Sequence, residues 1–427
     1  LKIKLSKAGA LRGDVTAPSD KSISHRAIIM ASIARGESRV RNFLRAGDTL
    51  STVGAMRALG VAIEDDGSEM IVRGNGLHNL REPKADIDCG NSGTTMRLLS
   101  GVLAGNPFKS VLTGDDSLRK RPMARVIKPL SMMGAKISAN DGNKYPPIVI
   151  NGGGLKGIRY EMPIASAQVK SCLLLAGLYA EGLTVVVEPV KSRDHTERML
   201  PAFGVELEVD GLTVRLSSGS EPSATDVDVP GDFSSAAFFI GAALIVKGSE
   251  VRVSHVGLNP LRTGLLDVLK KMGAQVAIEN KRTVSGEPVG DIVARSSKLK
   301  GVDIGGETVP SMIDEFPLLC VVASVAEGTT NIRGAQELRV KESDRVKAMA
   351  EGLKSMGVDV VEHPDGLSIT GTENLTGGYI NSMGDHRIAM SFAVAALVAD
   401  GDTVIDRAEA ADISFPGFYD VLRGLQK

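Results

Sequence analysis

The stretch SDKSISHR (residues 19–26) packs Lys21, Ser22, Ser24, His25 and Arg26 into the mouth of an apolar run, AIIMASIARG. The juxtaposition recurs: five further apolar runs are introduced by GNSGTTMR, IASAQVKS, GDFSSAA, SMIDEFP and MGDHRIAM. A helix N-terminus presents unpaired N–H groups and a partial positive charge, so it suits anions before any side chain is added. Ser and Thr at such places are ordinary N-caps, and capping accounts for any one copy. It does not account for Lys21, Arg26, Lys170 or Arg387. More cations gather near a second set of helices: Arg119, Lys120 and Arg121 in RKRPM, Arg193 in KSRDHTE, and Arg339, Lys341 and Arg345 in LRVKESDR. A solvated face is the ordinary reading of one such run alone. In VKESDR, however, Lys341 and Arg345 stand i, i+4, which predicts a shared helix face with Glu342 beside them. Acid–base groups are few. Asp314 and Glu315 interrupt VPSMIDEFPLLCVVA, where a carboxylate is costly unless it caps, pairs or reacts. His25 and His386 each precede an arginine at a helix start and read as hydrogen-bonded structural histidines. No HExxH or GxxxxGK[ST] occurs, and GNGLHNL (74–80) fails GxGxxG, which removes a dinucleotide site.

The elements that must position these residues repeat. AIIMASIARG (27–36), MRLLSGVLAG (96–105), VKSCLLLAGLYAEG (169–182), AAFFIGAALIVKG (236–248), PLLCVVASVAEG (317–328) and IAMSFAVAALVADG (388–401) follow one another about every 70 residues. Each is apolar nearly all round, as a helix buried inside a layered domain should be. Each ends in Gly, predicted to occupy a left-handed C′ position. A short β-like run follows each. In five copies there follows a more amphipathic helix closing in AMRALGV (55–61), KPLSMMGA (128–135), ERMLPAFGV (197–205), VLKKMGA (268–274) or GLKSMGV (352–358), and then a strand pair. The unit reads β-α-β-α-β-β, an α/β class. The sixth copy stops after FYDVLRGLQK, while the N-terminal KIKLSKAGALRGDVTAP offers two strands without a helix. The N-terminal strands are therefore predicted to complete the last repeat. Three repeats per domain divide the chain into 1–16 plus 232–427 and 17–231, with a hinge near 17–20 and 229–232. A solenoid with no active site is the plainer alternative, but the helix openings differ too sharply from copy to copy for a repetitive surface.

Composition narrows the function classes. Among 427 residues the formal net charge is −1, so bulk electrostatics argues for neither nucleic acid nor an anionic membrane. Any anion site must be local. Cys89, Cys172 and Cys320 lack CxxC spacing and read as small core residues in a reducing compartment, not as metal ligands. No signal-peptide pattern opens the chain and the apolar runs are too short to span a bilayer, so a cytoplasmic protein is expected.

Taken in order, SDKSISHR, GNSGT, KRPM, SAQVKS, RVKESDR and GDHR on six repeats closely resemble the 5-enolpyruvylshikimate-3-phosphate synthase (3-phosphoshikimate 1-carboxyvinyltransferase) family. KRPM, RDHTE and IDE are similar to its class II branch. The resemblance covers essentially the whole chain and implies two domains of three βαβαββ units about a pseudo-threefold axis, with the site between them and domain closure over it. It implies transfer of the enolpyruvyl group of phosphoenolpyruvate to the 5-hydroxyl of shikimate 3-phosphate. Carried over motif by motif, Asp314 is the general base, and Glu342, with Lys21 second, is the acid for phosphoenolpyruvate C3. Shikimate 3-phosphate falls to Lys21, Ser22, Arg26, Ser166, Ala167, Gln168, Arg193, Asp314 and Lys341. Phosphoenolpyruvate falls to Lys21, Gly93, Arg121, Gln168, Arg345 and Arg387, with Asn91 and Thr94 shaping the loop. No metal or organic cofactor is implied, and a monomer acting on two small molecules, without nucleic acid or membrane, is expected. Three positions depart from the family pattern: Ser19 before Asp20, Leu98 where many members carry Pro, and Ile413 where some carry Lys. The alternatives are the sister transferase acting on UDP-N-acetylglucosamine, whose loop usually bears a Cys or Asp near the position of DDSLRKRPM, and a non-catalytic binder of anionic metabolites.

Overall fold

In the computed structural model, which describes residues 1–426, the chain forms two compact units. One gathers Leu1–Pro18, Pro230–Thr283 and the chain from Pro288 onward; the other gathers Ser19–Val229 with the turn Val284–Glu287. Each unit closes around its own hydrophobic core. Each holds three βαβαββ repeats about a pseudo-threefold axis.

The first helix of every repeat is the buried one. They are Lys21–Ile33, Gly93–Gly105, Ala167–Gly177, Phe233–Ile245, Phe316–Ala323 and His386–Ala396. Every residue from Ile23 to Ile33 is buried, as are all of Phe316–Ala323 and His386–Ala396. A helix without a polar face can be stable only when apolar neighbours surround it. Within the first unit, the helices Phe233–Ile245, Phe316–Ala323 and His386–Ala396 pack on one another. In the other, Gly93–Gly105 packs on both Lys21–Ile33 and Ala167–Gly177. The six N-termini are capped by Asp20, Ser92, Ser166, Asp232, Glu315 and Asp385; all but Glu315 accept a main-chain N–H through the side chain. Each such cap contributes about 1 kcal/mol.

The glycines closing the apolar runs do not sit where a helix C′ residue would. Gly182 and Gly328 (φ +88° and +86°) lie several residues beyond the helices ending at Gly177 and Ala323. The chain first unwinds through a short turn, and the left-handed glycine then reverses it into the next strand.

Among the described residues, five of the outer sheets have four strands and the sixth, formed by Lys2–Leu5, Thr403–Asp406 and Tyr379–Asn381, has three. In the repeat containing Gly93–Gly105, strand Ile87–Asp88 runs parallel to Lys109–Thr113; Tyr145–Asn151 lies antiparallel next, then Lys136–Ala139 at the edge. The N-terminal segment departs from its predicted role. Lys2–Leu5 does join the last repeat, antiparallel to Thr403–Asp406. Arg12–Thr16 instead runs parallel to Glu250–Gly257, as the lead strand of the repeat built on Phe233–Ile245. The short strand that directly precedes that helix, Val227–Asp228, pairs with Arg35–Arg41, beside Lys21–Ile33. The two repeats have exchanged lead strands, so the two N-terminal strands serve different sheets.

Candidate active site

In the Ser19–Val229 unit the polar groups cluster at helix mouths. Lys21 opens its helix one residue after the Asp20 cap, and its Nζ lies 3.2 Å from Asp48 Oδ2. In the same turn Ser22 presents its carbonyl to Arg26 Nη1 at 3.0 Å. Arg26 is 3% exposed, with Nε on Thr196 Oγ1 and Nη2 on Ser171 Oγ, both at 2.8 Å. At this depth the Arg26 charge lies in a poorly screened interior. The next mouth is held by Arg121, whose Nη2 and Nη1 donate to Asn91 Oδ1 (2.7 Å) and Asn91 O (3.1 Å). Asn91 in turn donates to Asp115. Gly93 begins the helix here, and a Cβ on it would stand 2.9 Å from Arg97 Nη1 and 3.6 Å from Arg121 Nη1. Its lack of a side chain leaves room for both guanidinium groups. Gln168 ties this mouth to the third: its Nε2 donates to Thr94 Oγ1 (3.0 Å) and its Oε1 accepts from Arg97 Nη1 (2.7 Å). Ser166 caps that third helix and Ala167 begins it. Arg193 is half-buried in the loop before helix His195–Ala202.

Behind these mouths runs a chain of neutral hydrogen bonds. His25 Nδ1 meets Thr52 Oγ1, Thr52 meets Thr95 Oγ1, and Thr95 donates to Ser92 Oγ, each at 2.7 Å. Burial pushes the His25 pKa down to about 3; Asp48 opposes the shift, while Lys21 and Arg26 add to it. His25 is therefore the neutral structural histidine that its position suggested.

The other unit carries the acids. Arg345 is 1% exposed, with Nε on Asp385 Oδ2 (2.8 Å) and Nη2 on Glu342 Oε2 (2.8 Å). Its Nη1 lies 3.6 Å from Asp314 Oδ1, and Arg387 Nη2 lies 3.7 Å from Asp314 Oδ2. Arg387 Nη1 also donates to the Asp314 carbonyl at 3.1 Å. The Asp314 carboxylate thus stands between two guanidinium groups. Burial alone would lower the Arg345 pKa, but Asp385 and Glu342 outweigh it and hold the cation firmly protonated. Burial alone would raise the Asp385 carboxyl, yet Arg345 more than offsets that and holds it below the usual range.

One local expectation fails here, and one alternative left open for Asp314 is excluded. Helix Arg345–Ser355 begins at Arg345 itself, because the Asp344 side chain caps it by accepting from Lys347 N–H. Lys341 lies outside that helix in extended conformation and shares no helical face with Arg345. Nor does Asp314 serve as the N-cap: Glu315 occupies that position, and its carboxylate accepts from the Ser234 hydroxyl. Ser234 accepts from Arg262 Nη2 at 2.9 Å, and the same Nη2 lies 2.8 Å from Asp232 Oδ1. Neither Arg262, Asp48 nor Asp385 was singled out from the sequence. Asp385 lay inside the quoted GDHR and could have been; LRTGLLD and RAGDTL carry no comparable signal.

Six βαβαββ repeats in two units, with cations and carboxylates collected at helix N-termini, define an enolpyruvyl transferase fold. A family model described as EPSP synthase (3-phosphoshikimate 1-carboxyvinyltransferase) matches residues 5–422. The 3-phosphoshikimate 1-carboxyvinyltransferase of Thermodesulfovibrio yellowstonii is 56% identical over 426 residues, covering 99% of both chains. That of Geobacter sp. strain M21 is 54% identical, covering 98% of this chain and 97% of its own. A solved EPSP synthase from Acinetobacter baumannii superposes with a TM-score of 0.90 at 46% identity, covering 100% of this chain and 98% of that one. The chain belongs to the EPSP synthase family. Among the described residues, no helix is long and apolar enough to cross a membrane.

Proposed function

We propose that the protein transfers the carboxyvinyl group of phosphoenolpyruvate to the 5-hydroxyl of shikimate 3-phosphate, releasing inorganic phosphate. The observation that carries this reading is the Asp314 carboxylate set between Arg345 and Arg387. Guanidinium pairs of this kind bind carboxylate and phosphate groups, and a carboxylate among them serves as a base. In this reading Asp314 takes the 5-hydroxyl proton as that oxygen attacks C2 of phosphoenolpyruvate. Glu342 delivers a proton to C3, with Lys21 the second candidate. The tetrahedral adduct then loses a methyl proton and expels phosphate. Arg345, Arg387, Arg121, Gly93 and Gln168 hold phosphoenolpyruvate, while Lys21, Ser22, Arg26, Ser166, Ala167, Gln168, Arg193 and Lys341 hold shikimate 3-phosphate. Positive charge at those places stabilises the phosphate as it leaves.

The test is phosphate release with phosphoenolpyruvate plus shikimate 3-phosphate, with UDP-N-acetylglucosamine in parallel. Release with shikimate 3-phosphate alone is expected. Asp314→Asn should lower kcat by roughly 10²- to 10⁴-fold while the enzyme still binds shikimate 3-phosphate. Release only with the nucleotide sugar, or none with either acceptor, would overturn the assignment. Sedimentation at the mass of one chain is expected for the active species.

A further inference from the structure

Lys170 is a cation of the helix mouths that the proposed binding scheme does not use. It is 1% exposed, and its ammonium is turned inward. Nζ lies 2.7 Å from Glu188 Oε2, 2.6 Å from Glu197 Oε1 and 3.3 Å from Ser192 O. Three donors meet three acceptors, which is all an ammonium can do. The acceptors all belong to one short segment. Glu188 directly follows strand Leu183–Val187, and Glu197 lies in the first turn of helix His195–Ala202. Between them Ser192 is gripped again, its N–H and hydroxyl both donating to Glu188 Oε1. The loop is thus clasped at both ends and in the middle, and the residue after the middle clasp is Arg193.

We propose that Lys170 is a positioning residue: it touches no substrate, but fixes the loop that presents Arg193 to the phosphate of shikimate 3-phosphate. The inference rests on the phosphate-binding role proposed for Arg193. Lys170 sits one turn inside the helix whose mouth is Ser166, Ala167 and Gln168. The cluster therefore makes the helix mouth and the arginine loop one rigid body, so that two phosphate-reading elements keep a fixed separation. A buried ion cluster is a poor source of stability, since apolar side chains of similar volume commonly do as well or better. Fixing a geometry is a use that apolar side chains would not serve. The cluster also has more carboxylate than ammonium; burial raises the Glu197 carboxyl, with Lys170 pulling against it.

The experiment is steady-state phosphate release for the wild type, Lys170→Met, Arg193→Ala and the double variant, with each substrate varied in turn. Lys170→Met should raise KM for shikimate 3-phosphate roughly tenfold or more and leave KM for phosphoenolpyruvate within about twofold. In the Arg193→Ala background the same change should add less than about threefold. A cost that is equal in both backgrounds, or that falls on both substrates alike, would overturn the positioning role while leaving Arg193 as a phosphate ligand. Arg193→Ala with an unchanged KM for shikimate 3-phosphate would remove the phosphate role and the proposal with it. Lys170→Met strands two buried carboxylates, so the companion variant is Lys170→Met with Glu188→Gln and Glu197→Gln, which neutralises the whole cluster. It should show the same one-sided rise in KM, and a wild-type KM from it would sink the idea.

Discussion

At the scale of single residues, burial decides which charged groups can change state. His25 is neutral in the folded protein, with a pKa near 3 against about 6.5 in an unfolded chain. Between those values the unfolded state binds a proton that the folded state refuses. Stability from this group is therefore complete above about pH 6.5 and is lost as the pH falls towards 3. Between pH 7 and pH 5 the loss should be about 2 kcal/mol. Urea unfolding at the two pH values should show His25→Gln losing that much less than the wild type. An equal loss in both would mean that the histidine is not held neutral. Asp385 works in the opposite sense, as a carboxylate kept charged. It takes Arg345 through both oxygens and the Arg387 N–H through one. Asp385→Asn should cost phosphoenolpyruvate more than shikimate 3-phosphate, with KM for the former rising roughly tenfold or more. Kinetics with each substrate varied separately would show it. These two groups also mark what was legible. GDHR and SDKSISHR stood out by residue type, but the partners that fix their roles are remote. Thr52 lies 27 residues from His25, and Glu188 and Glu197 lie 18 and 27 residues from Lys170. Local patterning carries no trace of such pairs, which is why the sequence marks Lys170 at a helix mouth but not the two carboxylates it meets.

At the scale of elements, the buried helices were the most legible feature, because an unbroken apolar run bounded by polar residues has few other solutions. Their ends were less so. Asp344 shows why: one capping carboxylate moved the start of a helix to Arg345 and separated Lys341 from the face it was expected to share. The helices must also approach closely to keep their mouths together. A Cβ at Gly101 would lie 2.1 Å from the carbonyl oxygen of Cys172 in the neighbouring helix Ala167–Gly177. Gly101→Ala must push that pair apart, at a cost of about 1–3 kcal/mol, and more if the backbone cannot shift. The same displacement would pull Gln168 from Thr94 and Arg97. Denaturant unfolding should show the loss of stability, and KM for both substrates should rise. A variant of unchanged stability would mean that the helices have slack.

At the scale of the whole molecule, the domain count followed from six copies of one motif, whereas the exchange of lead strands could not be seen. Arg12–Thr16 and Val227–Asp228 each precede a buried helix, and each pairs outside the repeat which that helix builds. Nothing in a strand's own sequence names its partner. The arrangement makes the units unequal as folding units. Ser19–Val229 is nearly continuous in sequence and should give a cooperative unfolding transition when expressed alone. The remainder needs residues 1–18, which supply strands to two of its sheets. Deleting residues 1–17 should abolish its cooperative transition in circular dichroism, and adding the missing segment as a peptide should restore it. Persistence of that transition without the segment would show that the strands are dispensable.

The pairing of Lys2–Leu5 with Thr403–Asp406 sets a waiting time. During synthesis at about 5–20 residues per second, the first strand emerges roughly 20–80 s before its partner. For that interval it is an unpaired edge, free to add to any sheet nearby. Its sequence bears on this: Lys2 and Lys4 alternate with apolar residues in KIKL and Lys7 follows just beyond, and in the finished protein Lys4 and Lys7 meet Asp402 and Asp400. Lysines on an edge strand discourage pairing with another chain, so the residues that close the last sheet as surface ion pairs are also suited to guard that edge before the sheet is complete.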